Sequence, residues 1–250
     1  MKQTLRKLTG FAFSLLFWFA LWYVVAEKVS LSFLLPNPLE VLKRLLEFIG
    51  TQAFYEILGA SLVRVGLGYA AGILCGILLG SLAFRFGFLH TLFAPLMAII
   101  RATPVASFIL VVILWIDREG VPSFISFLMV FPIVWQNTLL GWEKRDRQLG
   151  EMATVFSLSA PKTLLRIDLP QILPYVFASA KTGMGLAWKA GVAAEVLALP
   201  KVSVGQMIYN AKLYLETVDL YAWTLAIILI SVLLEKLFST AVSKGRRRFL

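Results

Sequence analysis

Long apolar stretches separated by short polar segments dominate the pattern of the chain. A transmembrane helix needs roughly 20 apolar residues, and most of these stretches reach that length. The first stretch follows a basic start, but it is long and aromatic for a cleavable signal peptide, so we expect it to be retained. The pattern predicts an all-α polytopic membrane protein with about six transmembrane helices. The stretches are residues 11–26, 55–84, 92–115, 123–141, 171–199 and 220–241.

Residues 30–50 have an amphipathic pattern instead of an apolar one. Two prolines precede a segment in which the polar face carries Lys43, Arg44 and Glu47. Such a helix is predicted to lie along the outer membrane interface, with docking of an external partner as the second interpretation. The apolar face consists of Leu39, Leu42, Leu45, Leu46 and Ile49.

The second apolar stretch contains four glycines at strict four-residue spacing, so they form one stripe along a helix. Such a stripe lets another helix approach closely, which predicts a packing surface inside the membrane. Arg64 lies in the outer third of the same stretch, where snorkelling or an ion pair with Glu56 would explain it. The stripe consists of Gly68, Gly72, Gly76 and Gly80.

The third stretch contains the segment RATPVAS, which brings polar groups to membrane depth. Pro104 removes one backbone hydrogen bond, and Arg101, Thr103 and Ser107 lie beside it. Polar side chains beside a helix break are tolerated only where they face protein or water. The segment is therefore a candidate gate of a solute path, and a structural kink caused by the proline is the alternative.

The fifth stretch carries Lys181, Lys189 and Glu195 inside an apolar helix. Lys189 and Glu195 are six positions apart, about 600° of helical rotation, so they do not share a face and no intrahelical ion pair is expected. Lys189 must pair with another helix or a second copy, contact a passing anion, or snorkel. The candidate solute path comprises Arg101, Thr103, Ser107, Trp188, Lys189 and Glu195.

Composition excludes most classes of soluble protein. The 250 residues are 59% hydrophobic and 15% charged, with a formal net charge of +10. Lysine and arginine gather at both termini and in residues 142–170, which is the positive-inside pattern rather than a nucleic-acid surface. Both termini and the central polar segment are thus expected inside the cell.

The sequence shows no arrangement of residues that is typical of a catalytic site. His90 and Cys75 are the single histidine and cysteine, so we expect no disulfide, no metal site and no catalytic residue. No G-x4-G-K-[ST] motif for binding ATP is present. An intramembrane enzyme would need such groups. A secondary transporter, the other alternative, would be expected to consist of two similar halves, so that a second broken span would be present. No such repeat is visible in the sequence.

The polar island from Trp142 to Pro170 fits the pattern E-x-A-x3-small-x9-I-x-L-P. A first short helix is expected to turn Glu151 away from its apolar face, and Ser159 is expected to cap a second helix that Pro170 interrupts. Two short helices that meet at a small residue form a knob that fits a groove on another protein. The apolar face of the first helix consists of Leu149, Ala153 and Phe156. The pattern consists of Glu151, Ala153, Ser157, Ile167, Leu169 and Pro170.

The island resembles the EAA coupling loop, E-A-A-x3-G-x9-I-x-L-P, of the membrane subunits of binding-protein-dependent ABC importers. Five positions match, and the chain departs from the motif at Met152 and Ser157. The departure at Ser157, where the family has glycine, is mild unless the loop needs a positive φ there. The segments LPNPLEVL, RATPVASFILVVILWI and GLAWKAGVAAEVL are similar to the nitrate, sulfonate, taurine and bicarbonate branch of these permeases.

The resemblance implies a type I ABC importer permease fold and several partners. Two cytosolic ATPase subunits would bind ATP and magnesium and dock on the coupling residues, so this chain would hold no cofactor. A second permease copy, forming a homodimer, and an extracytoplasmic binding protein would complete the importer in the bacterial inner membrane. Residues 1–54 would form an N-terminal unit, 55–243 the core with its coupling loop at 143–170, and 244–250 a basic tail.

The branch also includes importers of thiamine-precursor pyrimidines and riboflavin-like compounds, which is the alternative for the solute. Arg101 and Lys189 favour an anion, although Glu195 of a neighbouring helix could neutralise either.

Overall fold

The computed structural model describes residues 2–29 and 34–249, and every regular element in these ranges is helical. The prediction of an all-α protein is confirmed. The elements are α1 (Lys2–Val29), α2 (Pro38–Ile49), α3 (Gln52–Arg85), α4 (Gly87–Ala102), α5 (Val105–Val112), α6 (Val121–Glu143), α7 (Arg147–Val155), α8 (Ala160–Thr163), a π-helical turn (Leu164–Asp168), α9 (Leu169–Ala198), α10 (Val204–Leu213) and α11 (Thr217–Phe249).

Six helical segments match the six predicted stretches. Helices α3, α6 and α11 are long and apolar enough to cross a membrane, and the bent pair α4–α5 can be counted as a fourth span. Helices α1 and α9 have 28 and 30 residues, so both are longer than about 40 Å. The expectation that both termini lie inside the cell rests on residues 2–9 and on the basic tail 244–250. Their side chains are not among those that the structure describes.

The third span has the break at Pro104 that the sequence predicts within residues 92–115. Helix α4 begins earlier, at Gly87, and the chain turns by 104° between α4 and α5. Thr103, at the break, is extended with φ −78° and ψ 131°, the conformation that a following proline favours. The bend is far larger than that of a proline kink within a continuous helix.

Helix α6 is the centre of the bundle. In the apolar stretch of 18 residues that could cross a membrane, 61% of α6 is buried, compared with 28% of α3 and 22% of α11. The glycine stripe of α3 lies directly against it: a Cβ added to Gly72 would be 2.8 Å from the Cβ of Val130, and one on Gly76 would be 2.7 Å from the Cβ of Val134. A methyl group does not fit at these distances, so glycine lets the two helices touch.

Helix α9 packs on the other side of this pair. The Tyr69 hydroxyl of α3 donates to the Ala180 carbonyl oxygen (3.0 Å), and the Ser126 hydroxyl of α6 donates to the Ala187 carbonyl oxygen (3.2 Å). Helices α3 and α6 run parallel and α9 antiparallel to them, since Gly191 meets Val65 near the start of α3. The 143–170 loop therefore lies at one end of the bundle, called the loop end, and α2 and α10 lie at the other, called the far end.

Helix α2 has two apolar faces rather than the single one predicted. Val41 and Leu45 are buried in the bundle, and Arg44 is bound through two hydrogen bonds of 2.7 and 2.9 Å by the Asp219 carboxylate at the start of α11. The other four residues of the predicted apolar face point outward, as suits a helix at a membrane interface. They are Leu39, Leu42, Leu46 and Ile49.

Candidate functional site

The coupling loop is attached firmly to the bundle at both of its ends. The Arg145 guanidinium lies 3.1 Å from the Asp168 carboxylate and over the rings of Phe84 and Trp142, at 5.5 and 5.7 Å. The Asp146 N–H donates to the Gln171 side chain (2.7 Å). The end of α6 is thus tied to the start of α9.

Helix α7 ends in a Schellman motif centred on Ser157. The Leu158 N–H donates to the Ala153 carbonyl oxygen (2.9 Å) and the Ser157 N–H to the Thr154 carbonyl oxygen (3.0 Å). Ser157 has φ 51°, in the left-handed region that favours glycine. The serine therefore stands at a position that needs a positive φ, so its departure from the family pattern is not mild.

The expectation that Pro170 interrupts the second helix of the loop is wrong. Helix α8, the π-helical turn and α9 are continuous from Ala160 to Ala198. In the π-helical turn the Leu169 N–H donates to the Leu164 carbonyl oxygen, five residues back. The wider turn accommodates the proline ring and its missing N–H. The second part of the 143–170 loop, from Ala160 onward, therefore forms one continuous helical segment with α9.

The predicted coupling residues occupy different environments. Ala153 is buried, whereas Glu151 is exposed and lines a cleft of about 610 Å³ between α7, Trp142 and Asp168. Ser157 and Leu169 are exposed, while Ile167 and Pro170 are half-buried. In the predicted apolar face of α7, Ala153 alone is covered, because Leu149 and Phe156 face outward.

Large apolar side chains cover the outer surface of this loop. Val155 is 80% exposed, Phe156 71% and Leu165 63%. Exposed apolar side chains of this number make the loop a candidate contact surface for a partner. The further exposed members of the cluster are Leu149, Met152, Leu158 and Leu164.

Arg101, the first residue of the candidate solute path, is held by neutral groups. Its Nη1 atom donates to the Gln136 side-chain oxygen, and its Nε atom donates to the Met97 carbonyl oxygen (3.3 Å). Thr103 donates to the Ile99 carbonyl oxygen (2.8 Å), and Ser107 is exposed. The three side chains lie together at the break between α4 and α5.

Helix α9 separates the remaining path candidates. Lys189 is exposed, as is Lys181, whereas Trp188 and Glu195 are fully buried. The Trp188 indole N–H donates to the Ile227 carbonyl oxygen of α11 (3.1 Å). Lys189 and Glu195 thus lie on different faces of α9, as their spacing predicts. Trp188 and Glu195 do not reach an open surface of the subunit in this structure.

Glu195 belongs to a polar cluster at the far end, formed by Ser61, Arg64, Glu119 and Glu195 and called the Arg64 cluster. One Glu195 oxygen accepts from the Ser61 hydroxyl (2.8 Å) and the Gly205 N–H (3.2 Å), and the other lies 3.6 Å from the Arg64 guanidinium. Arg64 also binds Glu119 and donates to the Val202 carbonyl oxygen (2.7 Å). The cluster joins α3, α9 and two turns.

This arrangement corrects the expected pairing of Arg64 with Glu56. Glu56 accepts a hydrogen bond from Gln52 in its own helix instead (2.8 Å). The sequence did contain one signal of the observed pair, because Arg64 and Glu195 are opposite charges in two apolar stretches. Nothing in the sequence indicated Glu119 or Gly205, since turns bring them there.

Glu119 lies in the turn between α5 and α6, outside the spans. Burial acts to raise the pKa of Glu119, but the Lys201 N–H (2.9 Å) and the Arg64 guanidinium outweigh it. The net effect holds the pKa of this carboxyl below its usual value, so Glu119 is ionised at neutral pH.

Comparison with known proteins identifies the family. Residues 72–243 match the family of binding-protein-dependent transport system inner membrane components. The chain is 31% identical over 189 residues to the nitrate import permease protein NrtB of Synechocystis sp., covering 71% of this chain and 68% of that one. It is 28% identical over 221 residues to the taurine transport system permease protein TauC of Escherichia coli, covering 86% and 80%.

A third relative is the bicarbonate transport system permease protein CmpB of Synechococcus elongatus, 30% identical over 154 residues, or 61% of this chain and 55% of that one. Among solved structures, a chain of a bacterial alginate ABC transporter in complex with an alginate-bound periplasmic protein has a TM-score of 0.63, with 96% of each chain covered and 14% identity. The likeness shows a shared fold, consistent with the type I permease fold that the sequence predicts. The chain belongs to the family of inner membrane components of binding-protein-dependent transport systems.

Proposed function

We propose that this chain forms the membrane path of an ATP-driven importer for a small anionic solute. The observation that carries the proposal is the uncovered apolar cluster of the coupling loop, whose members Leu164 and Leu165 lie in the π-helical turn that continues into α9. A surface of this kind needs a partner to cover it, and a partner that moves it also moves α9.

The partner is a cytosolic ATPase subunit, one for each permease copy. ATP and magnesium bind to the ATPases, so this chain hydrolyses nothing and holds no cofactor. The polar residues of the pattern, Glu151 and Ser157, and its apolar ones, Ala153, Ile167, Leu169 and Pro170, shape the docking surface. The coupling loop and both termini lie in the cytosol, and the far end faces the extracytoplasmic side of a bacterial inner membrane.

Two permease copies, forming a homodimer, enclose the path between them. An extracytoplasmic binding protein delivers the solute at the far end, as the name of the family implies. Lipid surrounds the remaining faces, and no nucleic acid takes part. The path is lined by the break at Arg101, Thr103 and Ser107 and by the exposed side of α9 with Lys189.

The charges of these surfaces favour an anion. Arg101 donates to neutral acceptors, whereas Arg44, Arg64 and Arg145 all bind carboxylates. The relatives named for nitrate, taurine and bicarbonate carry solutes with an oxyanion group. Nothing in the geometry favours the pyrimidine or flavin-like alternative.

Closure of the ATPases drives the transport cycle through the coupling loop. Motion of α7 reaches α6 and α9 through Arg145 and Asp168, and α9 carries it to Glu195 and the turns of the Arg64 cluster. The path then opens at one end as it closes at the other, which is alternating access by rigid-body movement.

Reconstitution of the permease with its ATPase and binding protein in proteoliposomes tests this function. Glu151→Arg is expected to reduce ATP-driven uptake more than tenfold without affecting membrane insertion, because it reverses the charge of the docking surface. Glu40→Arg, the same change on exposed α2 at the far end, serves as the control and is expected to leave coupling intact. Uptake driven by an ion gradient without ATPase would show a secondary transporter instead.

The anionic solute is tested with the same vesicles. Arg101→Ala and Lys189→Ala are each expected to lower uptake of labelled nitrate, bicarbonate or taurine, because each removes a positive charge from the path. Unchanged uptake in both variants would contradict the electrostatic argument.

A further inference from the structure

A crevice of about 280 Å³ runs between α4 and α6. Arg101 and Gln136 lie at one end of it and Glu143 at the end nearer the coupling loop, while the His90 ring stacks on Trp135, the residue before Gln136. Gln136 and Glu143 are seven residues apart on α6, so the crevice is about 10 Å long. It leads from the loop end of the bundle to the break between α4 and α5.

Arg101 is fixed at the head of this crevice without being neutralised. Its hydrogen bonds go to an amide oxygen and a backbone carbonyl oxygen, and no carboxylate lies within 4 Å among the described residues. A guanidinium that is positioned but uncompensated at membrane depth keeps its attraction for an anion, because a carboxylate partner would cancel it.

The walls of the crevice fit a small oxyanion. A guanidinium presents parallel N–H donors that match two oxygens of a nitrate, bicarbonate or sulfonate group. Trp135 lines the same crevice, is 4% exposed, and has an indole N–H with no partner among the described groups. The His90 ring stacks on the Trp135 ring at 5.8 Å and holds it in place.

Charge also fixes where in the crevice an anion rests. Glu143 lines the end near the coupling loop, and its carboxylate repels an anion there. The anion is therefore held at the Arg101 end, and a weak site of this kind suits a path in which binding must not prevent release.

We propose that this crevice is a subsite for the oxyanion group of the transported solute, and that Gln136 is a positioning residue that holds Arg101 charged and uncompensated. The inference rests on the proposed transport of an anion. In this proposal Gln136 must be a neutral acceptor, because it has to hold Arg101 without cancelling its charge. A purely structural hydrogen bond would not require a neutral residue.

Gln136→Glu distinguishes a residue that must leave Arg101 uncompensated from one that merely makes a structural hydrogen bond. A carboxylate at this position keeps and strengthens the contact with Arg101 but cancels its charge. We expect uptake of labelled nitrate, bicarbonate or taurine by the complete transporter in proteoliposomes to fall at least tenfold, with ATPase assembly and stimulation of ATP hydrolysis by the binding protein retained. Thr91→Glu adds the same charge to the exposed side of α4, where Thr91 contacts its own helix, and is expected to transport normally.

Each other result overturns the proposal. Wild-type uptake by Gln136→Glu would show that Arg101 need not be uncompensated, and importer function itself would stand. Gln136→Met removes the hydrogen bond without adding charge and is expected to lower uptake less than Gln136→Glu does, because Arg101 loses its position but keeps its charge. An equal fall in the two variants would show that the uncompensated charge of Arg101 is not what the solute needs. If the wild-type complex hydrolyses ATP but takes up none of the three solutes, the anion class and this subsite both fail.

Discussion

A single serine in the left-handed region shapes the coupling loop. Ser157 closes the Schellman motif at the end of α7 with φ 51°, and a residue with a Cβ is strained there by about 1 kcal/mol. The hydrogen bonds of Leu158 and Ser157 to α7 compensate for this strain. The direction of the chain after α7, and hence the shape of the exposed apolar cluster, depends on this residue.

Ser157→Gly is expected to stabilise the coupling loop by about 0.5–1 kcal/mol, because glycine adopts a positive φ without strain. The measurement is protection of the loop from limited proteolysis in the purified protein. Ser159→Gly, at an ordinary φ of −65°, serves as the control and is expected to give no gain. Equal protection in Ser157→Val, where a β-branched residue should be strained, would contradict this interpretation.

At the far end, Glu119 gives the Arg64 cluster a defined pH dependence. Its folded pKa is lowered, so its ionised form contributes stability that is present above the unfolded value of about 4.3 and is lost as the pH falls through the folded value. We expect Glu119→Gln to lower the unfolding midpoint at pH 7 by about 1–3 °C, as for a partly exposed ion pair. Fluorimetric melting at a series of pH values checks this: the difference from wild type should shrink below about pH 4, and a growing difference would contradict it.

Among the elements, the contact between α3 and α6 depends most on residue size. A Cβ on Gly72 or Gly76 would lie under 3 Å from a valine of α6, whereas Gly66, on the outward side of α3, has nothing within 4 Å. Two helices that approach this closely gain contacts along their whole length, which is a main source of association in lipid.

Gly72→Ala is expected to destabilise the subunit by about 1–3 kcal/mol, because the added methyl group overpacks the contact with Val130. Thermal unfolding in detergent measures the loss. Gly66→Ala is the matched control on the same helix and should remain within about 0.5 kcal/mol of wild type. Equal midpoints for the two variants would mean that α3 and α6 do not pack through the glycine stripe.

Local patterns in the sequence predicted the elements but not their angles. Apolar runs and the four-residue glycine spacing determine where helices form and which face packs, because both depend on residues close in the chain. The proline at 104 predicted a break, yet its 104° bend depends on what α4 and α5 pack against. The continuity of α8 and α9 across Pro170 was missed because a π-helical turn absorbs the proline.

In the candidate site, too, the sequence indicated local features but not contacts between distant residues. The coupling pattern and Arg101 were predicted, since a motif and a charge in an apolar stretch are visible in the sequence. The Arg64 cluster and the hydrogen bond from Arg101 to Gln136 were not, because their partners are 35 to 134 residues apart in the chain. Tertiary packing alone brings these side chains together.

For the whole molecule, α9 connects the two ends of the bundle. It begins directly after Asp168, which Arg145 binds, and its last turn contains Glu195, which Arg64 and Ser61 hold. This 30-residue helix is therefore held at both ends and packed closely at its glycines along its length. One continuous helix therefore connects the 143–170 loop with the far end in each subunit.

The central claim is that the exposed cluster of the coupling loop docks on a cytosolic ATPase. Cross-linking tests it directly, because Cys75 is the single native cysteine and can be replaced by serine. In that background, Phe156→Cys is expected to cross-link to the ATPase in the assembled transporter, and Leu46→Cys, an equally apolar and exposed position on α2, is not. Cross-linking of Leu46→Cys to the ATPase, or none from Phe156→Cys in a complex that transports, would contradict the account.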